Sequence, residues 1–146
     1  RDLTTFEQTH MLRSTGFAAD VETDQGQITH ISLAPSSTAC LVIPIWENGE
    51  SYWSEADELE IRLWLYRVMN DRRWTKTFHN ALYDLTYLAE EGIFASGQID
   101  DTMLMFHSKN IELPKSLGFL GSLMANDRAW KTLRVKKIKD ITKKDE

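Results

Sequence analysis

The chain has 146 residues, of which 42% are hydrophobic and 27% are charged, and its formal net charge is −5. This length fits one domain that can bury a real core, and the acidic balance argues against a general nucleic-acid-coating protein. No apolar run approaches the ~20 residues that cross a bilayer, so no membrane contact is expected.

The first third of the chain predicts a lead-in helix and then three strands. The strands are short apolar runs bounded by turn residues, and Gly26 can take the positive φ of a tight turn. Strands joined in this way form an antiparallel meander. Cys40, the only cysteine, lies in the third run and is expected to be buried, which agrees with a cytoplasmic location. The helix is predicted at about 1–12 and the strands at about 16–22, 27–34 and 39–45.

Strands and helices alternate after a loop at about 46–54. Ser54 caps the first helix of this part, and its apolar stripe is predicted to include Leu59, Leu63 and Tyr66. Together with the meander, the alternation predicts one α/β domain in which helices flank a mixed sheet. The predicted helices are about 55–69, 80–91, 101–109 and 116–124, and the remaining strands are about 74–78 and 98–100.

Two carboxylates stand at the end of the first predicted strand. Asp20 and Glu22 form an Asp-x-Glu, and both point to one spot because alternate side chains of a strand share a face. Neighbouring carboxylates repel each other, and a divalent cation between them keeps both ionised. Hard oxygen ligands of this kind suit Mg²⁺ or Mn²⁺. The alternative is a solvated strand end, which Asp-x-Glu alone does not exclude.

A second polar group stands at the start of a later helix. Asn80 has the position of an N-cap whose side chain accepts a backbone N–H of the first turn. Asp84 lies four residues later and projects near the same strand–helix junction, while Leu82 begins the apolar face of the helix. An acid in the first turn of a capped helix is ordinary by itself. Its combination with the Asp-x-Glu strand favours a joint metal site.

These residues and two later stretches resemble the 3′–5′ exonuclease (proofreading) domain of family A DNA polymerases, especially phage-type ones. Asp20 and Glu22 match its first motif, and Asn80 with Asp84 match its second. That domain belongs to the DEDD superfamily and has a ribonuclease H-like fold. The resemblance runs from about Gly16 to about Trp130. Its later stretches are Asp101-Thr102-Met103-Leu104 and Leu113-Pro114-Lys115-Ser116-Leu117-Gly118.

The resemblance implies two-metal hydrolysis at the 3′ end of single-stranded DNA, with release of nucleoside 5′-monophosphates. Of two Mg²⁺ or Mn²⁺ ions, Asp20 would bridge both, Glu22 would hold the first and Asp84 the second. Asn80 would order the strand–helix junction and belongs with the substrate-binding residues. The implied partner is a polymerase domain in the same parent polypeptide, and the location is the cytoplasm, that of the host if the protein is phage-encoded.

Other residues are expected to contact the substrate. Thr23 follows the strand and is placed beside the terminal nucleotide, while Lys115 and Ser116 at a helix start would meet a DNA phosphate. His79 is also assigned to substrate contact, although packing at the strand end is the more ordinary role. Asp101 is expected chiefly as the N-cap of the following helix.

The third motif of the family, Tyr-x-x-x-Asp or His-x-x-x-x-Asp, is missing from the sequence. Its acid would complete the first metal site, and its Tyr or His would handle the attacking water. Tyr83 and Tyr87 lie within the second-motif helix, which is the wrong place. Residues 1–146 are therefore expected to be a single exonuclease-like domain truncated before this motif, with weak or no activity in isolation.

Two other functions stay open beside proofreading. One is a catalytically incomplete ribonuclease H-like module that binds nucleic acid or scaffolds a polymerase, and the other is an RNA exonuclease of the ribonuclease D type. The Leu-Pro-Lys-Ser-Leu-Gly stretch favours the polymerase-linked domain. The basic residues between Lys131 and Lys144 indicate either a contact with the DNA backbone or a solvated segment, and the second is the more ordinary.

Overall fold

The computed structural model describes residues 2–125. The basic stretch from Lys131 to Lys144 lies outside the described residues. The strands are β1 (Gly16–Asp24), β2 (Gln27–Ser36), β3 (Ala39–Pro44), β4 (Trp46–Glu47), β5 (Glu50–Ser51), β6 (Thr75–Phe78) and β7 (Ile99–Asp101). The helices are α1 (Asp2–Thr9), α2 (Glu55–Asn70), α3 (Ala81–Glu90), α4 (Thr102–Lys109) and α5 (Leu117–Met124), with a short 3₁₀ helix at Met11–Arg13.

Five strands form the main sheet in the order β3-β2-β1-β6-β7. β1, β2 and β3 pair antiparallel, which confirms the predicted meander. β6 adds to the other side of β1 in parallel, and β7 adds to β6 in the same way. The predicted α/β class, a mixed sheet flanked by helices, is therefore confirmed. The predicted loop at 46–54 instead contains a small antiparallel hairpin of β4 and β5.

Helix α2 buries a different stripe from the predicted one. Leu59, Leu63 and Tyr66 are 59%, 60% and 46% exposed. Ile61 and Trp64 face the core instead, together with Leu65, Val68 and Met69. Both stripes have helical spacing, but the buried one is wider because it repeats at i, i+3, i+4 and i+7. The N-cap was predicted correctly, since the Ser54 hydroxyl accepts the Asp57 N–H at 3.2 Å.

Two further expectations of burial were wrong. Cys40 is exposed, because β3 is an edge strand that turns Ile43 inward and Cys40 and Val42 to the other face. Leu82 is 77% exposed, because α3 packs through Ala81 and Leu88. In both cases the hydrophobic residue was correctly placed in its element but on the wrong face.

A buried carboxylate fixes α1 on α2. Glu7 accepts hydrogen bonds from the indole N–H of Trp64 at 2.9 Å and from the two terminal nitrogens of Arg67 at 2.8 and 2.5 Å. The hydrogen bond from Arg67 lowers the pKa of Glu7 and outweighs the opposing effect of burial. A carboxylate whose pKa is lowered on folding stabilises the fold at pH values above its unfolded pKa of 4.5. This contribution is lost as the pH falls through the folded-state pKa.

Glu7→Gln is therefore expected to lower the free energy of unfolding by about 1–2 kcal/mol at pH 7, because the charge-assisted bonds become neutral ones and half-exposed Arg67 is partly screened by solvent. Urea denaturation at pH 7 measures this loss, and Glu60→Gln, an exposed acid on α2, is the matched control. An equal effect of both substitutions would contradict the assigned role of Glu7.

Candidate functional site

Asp20 and Glu22 lie on one face of β1. The strand alternates regularly, with Ala19 and Val21 buried and Asp20 and Glu22 exposed on the opposite face. The structure thus places both carboxylates as the strand periodicity predicts. Glu22 is paired with His30 of β2, so the acidic end of β1 has a strand neighbour on the β2 side.

Helix α3 brings Asp84 against this strand. The pairing of β1 with β6 includes only the residues from Gly16 to Ala18. Beyond that point the backbone N–H of Val21 donates to Asp84 Oδ1 at 2.8 Å. The carboxylate thus accepts a backbone N–H of β1 at a point where β6 no longer pairs with it. Asp84 is only 3% exposed. The contact places the Asp84 carboxylate beside Val21, the residue between Asp20 and Glu22.

Asp84 carries an electrostatic cost from its surroundings. Burial, together with the charges of Asp20 and Asp101, raises the pKa of Asp84 to about 6 against the opposing effect of the hydrogen bond from Val21. Each negative neighbour disfavours a second negative charge. This is the setting in which a bound cation would be stabilised, and the oxygen donors suit a hard one.

The three acids do not form a closed ligand cage. Among residues 2–125, no group of three or more His, Cys, Asp or Glu side chains is arranged so that it could hold a metal ion. Asp20 and Asp84 are electrostatic neighbours, and Glu22 lies on the Asp20 face of the strand. The donor chemistry fits a divalent cation, but the described residues supply only part of a coordination shell.

The junction between β6 and α3 differs from the prediction. Asn80 is the N-cap residue of α3, but its side chain makes no capping hydrogen bond. Its backbone is left-handed, with φ of 72°, whereas a capping side chain requires an extended backbone. The carboxylate of Asp101 caps α3 instead, accepting the N–H of Asn80 at 3.1 Å and that of Ala81 at 2.8 Å.

Asp101 also caps a second helix. It is the N-cap of α4, as predicted, and accepts the N–H of Met103 at 2.9 Å and of Leu104 at 3.2 Å. Burial opposes its ionisation, but the backbone donors from both helices outweigh burial and lower the pKa of Asp101. One carboxylate therefore joins the first turns of α3 and α4 beside Asp84.

Tyr83 and Tyr87, to which the sequence analysis gave no role in the site, lie beside it. The hydroxyl of Tyr83 lies 2.5 Å from Thr23 Oγ1. The Tyr83 ring packs against Tyr87, with 5.0 Å between ring centroids. Both rings line a groove of 590 Å³ that also includes Asn80 and Gly26. The one available signal was the position of Tyr83 directly before Asp84.

His79, Lys115 and Ser116 form a separate network at the start of α5. His79 Nδ1 lies 2.9 Å from Thr102 Oγ1, and Nε2 lies 2.9 Å from the carbonyl oxygen of Lys115. The Ser116 hydroxyl accepts the N–H of Phe119 at 3.3 Å and caps α5. The His79 ring thus connects the end of β6 to the segment before α5. His79 also lines, with Asp20, a smaller cavity of 310 Å³.

Solved structures with a similar fold include nucleases and a polymerase. The catalytic core of RRP6 from Trypanosoma brucei is similar over 92% of this chain and 35% of its own, with a TM-score of 0.64 and 19% identity. The chain shares the fold of this catalytic core and of the two proteins that follow. Brucella melitensis NrnC with bound Mg²⁺ gives a TM-score of 0.59 at 19% identity, over 82% of this chain and 58% of that one. The POL domain of Pol1 from M. smegmatis, in complex with DNA primer-template and dNTP, gives 0.63 at 20% identity, over 87% and 22%.

The similarity is one of fold over part of each neighbour. The chain spans 58% of NrnC and 56% of a nuclease solved in its apo form, or about half of each. No protein-family model and no curated protein sequence matches it. Within residues 2–125, none of the helices has the length and apolar character needed to cross a membrane.

Proposed function

We propose that this chain is the 3′–5′ exonuclease domain of a DNA polymerase and acts on the 3′ end of a single strand. The observation that carries the proposal is the contact of Asp84 Oδ1 with the N–H of Val21, which places the third acid between Asp20 and Glu22. The same three residues match the first two motifs of the proofreading family. The shared fold with nucleases and with Pol1 supports this assignment.

Asp20, Glu22 and Asp84 would hold divalent Mg²⁺ or Mn²⁺, two ions in the proposal. The Mg²⁺ bound by NrnC, which has a similar fold, supports this choice. Bound ions would activate water and stabilise the leaving 3′ oxygen. The residues themselves contribute an acidic site in which Asp84 is buried and the charge of Asp20 disfavours its ionisation. A bound cation would offset this repulsion. Asp101 keeps the first turn of α3, and with it Asp84, in place through the two N–H groups that it accepts.

The substrate would enter through the groove along α3. Its described lining includes Tyr83, Tyr87 and Leu82, and its one charged residue is Glu90. Aromatic faces stack on bases without strong sequence preference, so the groove suits the bases of a single strand. Asn80 lines the groove as well, and Thr23 is connected to it through the hydroxyl of Tyr83 at 2.5 Å. His79, Lys115 and Ser116 would support the strand from the other side of β6.

A catalytically incomplete nucleic-acid-binding module is the second candidate. It is favoured by one observation, the lack of a three-ligand metal cluster among residues 2–125. A ribonuclease D-type activity on RNA is a variant of the first candidate, since the RRP6 fold is as similar as that of Pol1. The test of function therefore needs both DNA and RNA substrates and a separate measurement of binding.

The deciding experiment is degradation of 5′-labelled single-stranded DNA and RNA in Mn²⁺. The wild-type chain is expected to give slow laddering from the 3′ end, faster on DNA. Asp20→Ala should reduce the rate by at least about 100-fold. Loss of a residue that only orients a metal ligand typically costs about 10- to 100-fold, and loss of the ligand itself should cost at least as much. Asp24→Ala, which removes an exposed acid from the same strand, is the matched control and should leave the rate unchanged.

Three results would change the functional assignment. Laddering that survives Asp20→Ala would assign the activity to a contaminant and reject the proposal. Faster degradation of RNA would favour the ribonuclease D type. Oligonucleotide binding without laddering would support the binding module.

A further inference from the structure

Glu22 is held in place through its backbone and its neighbours. Its side chain makes no hydrogen bond to the other residues of the described range 2–125, yet the residue is fixed on three sides. Before it, the N–H of Val21 donates to Asp84 at 2.8 Å. Its own carbonyl oxygen accepts the hydroxyl of Thr29 at 3.0 Å. After it, Thr23 Oγ1 lies 2.5 Å from the hydroxyl of Tyr83.

The ladder between β1 and β2 is interrupted beside this residue. Glu22 pairs with His30 and Thr23 with Ile28, so the register shifts here and the extra residue of the bulge is Thr29 of β2. A bulge breaks the pairing locally and re-aims the side chains beside it. The direction of the Glu22 side chain is thus not fixed by the regular ladder alone, and contacts on both sides of the bulge must determine it.

The two outer contacts come from consecutive residues of one helix turn. Tyr83 holds Thr23 and Asp84 holds Val21, so α3 clamps β1 on both sides of Glu22. The Tyr83 ring is itself held by Tyr87, at an interplanar angle of 56°. The hydroxyl of Tyr83 is therefore presented to Thr23 from a packed ring.

We infer that Tyr83, acting through Thr23, is a positioning residue for Glu22, which it aims at the cation shared with Asp20. The inference rests on the proposed function and adds to it a residue outside the three acids. Loss of the contact would let the bulge relax and turn the Glu22 carboxylate away. Partners that orient metal ligands typically change metal affinity by about 10- to 100-fold.

The test measures Mn²⁺ affinity directly, by the relaxation of water protons, so that no catalytic turnover is required. Tyr83→Phe and Thr23→Val each remove one side of the contact and keep the packing volume. Each is expected to weaken Mn²⁺ binding by about tenfold, and the double variant should bind no more weakly than either single one, because all three lack the same contact. Tyr66→Phe on α2, a tyrosine with similar exposure, should leave the affinity unchanged.

Glu22→Gln and Asp20→Ala complete the comparison. Glu22→Gln should weaken binding at least as much as Tyr83→Phe, and in a Glu22→Gln background Tyr83→Phe should have no further effect. Wild-type affinity in Tyr83→Phe, or additive losses in the double variant, would overturn the inference and leave the proposed function standing. Absence of Mn²⁺ binding that depends on Asp20 would contradict the proposed function itself and the inference with it.

Discussion

Asp84→Asn is expected to raise the free energy of unfolding at pH 8 by about 2 kcal/mol while it removes metal binding. The pKa of Asp84 is raised, chiefly by burial, from 3.8 to about 6. A group with a raised folded-state pKa stabilises the fold below its unfolded pKa, and this contribution is lost as the pH rises through the folded value. Asparagine keeps an oxygen acceptor for the N–H of Val21 but carries no charge at any pH.

Urea denaturation with EDTA at pH 4 and pH 8 measures this effect. Wild type and Asp84→Asn should be equally stable at pH 4, where Asp84 is largely protonated in the folded protein. They should separate progressively between pH 4 and pH 6, with the variant the more stable. Asp24→Asn on β1 should show no such dependence. If Asp84→Asn is less stable than wild type at pH 8, the carboxylate is not under electrostatic strain in the absence of metal.

Asp101→Ala is expected to destabilise the protein by about 2–4 kcal/mol, because it removes the capping acceptor from two helices at once and each cap typically contributes ~1 kcal/mol, up to about 2. Four backbone N–H groups would lose their partner. The loss should also weaken Mn²⁺ binding, since Asp84 lies in the first turn of α3. Thermal and urea unfolding of the variant measure the stability term.

The adjacent residue offers a matched control. Asp100 is part of the same strand, but within residues 2–125 its carboxylate accepts a hydrogen bond only from the side chain of Gln98, at 3.0 Å. Asp100→Ala should therefore change stability by less than about 0.5 kcal/mol. Asp101→Asn is informative as well, because an amide oxygen in the place of Oδ1 still accepts the N–H groups of Asn80, Met103 and Leu104, while its NH₂ group faces the N–H of Ala81. It is expected to lie between wild type and Asp101→Ala, and equal effects of Asp100→Ala and Asp101→Ala would exclude the double cap.

The sequence predicted those parts of the site that depend on local periodicity. Asp20 and Glu22 share a face because a strand alternates, and Asp101 starts a helix because its side chain reaches the next turn. The mixed sheet followed from the change from meander to alternating strands and helices. Each of these depends on residues only a few positions apart.

The features that sequence reasoning missed depend on distant contacts. Asn80 has the right residue type for a side-chain cap, but its left-handed backbone leaves that task to Asp101, which lies 21 residues further along the chain. The bond between Tyr83 and Thr23 joins residues 60 positions apart. Helical spacing could not distinguish the two stripes of α2, because the choice depends on what packs against them.

The separation of the acids along the chain also bears on how the protein folds. The meander of β1 to β3 closes through short turns, whereas the pairing of Gly16 with Thr75 and the contact of Val21 with Asp84, 63 residues away, require a long loop to close first. Closing a loop of this length costs conformational entropy, which must be offset by the contacts that the closed loop allows. A chain in which this loop is open holds Asp20 and Glu22 without Asp84 beside them. Cation binding thus becomes a property of the completed topology, and it would selectively favour chains in which β6 has docked.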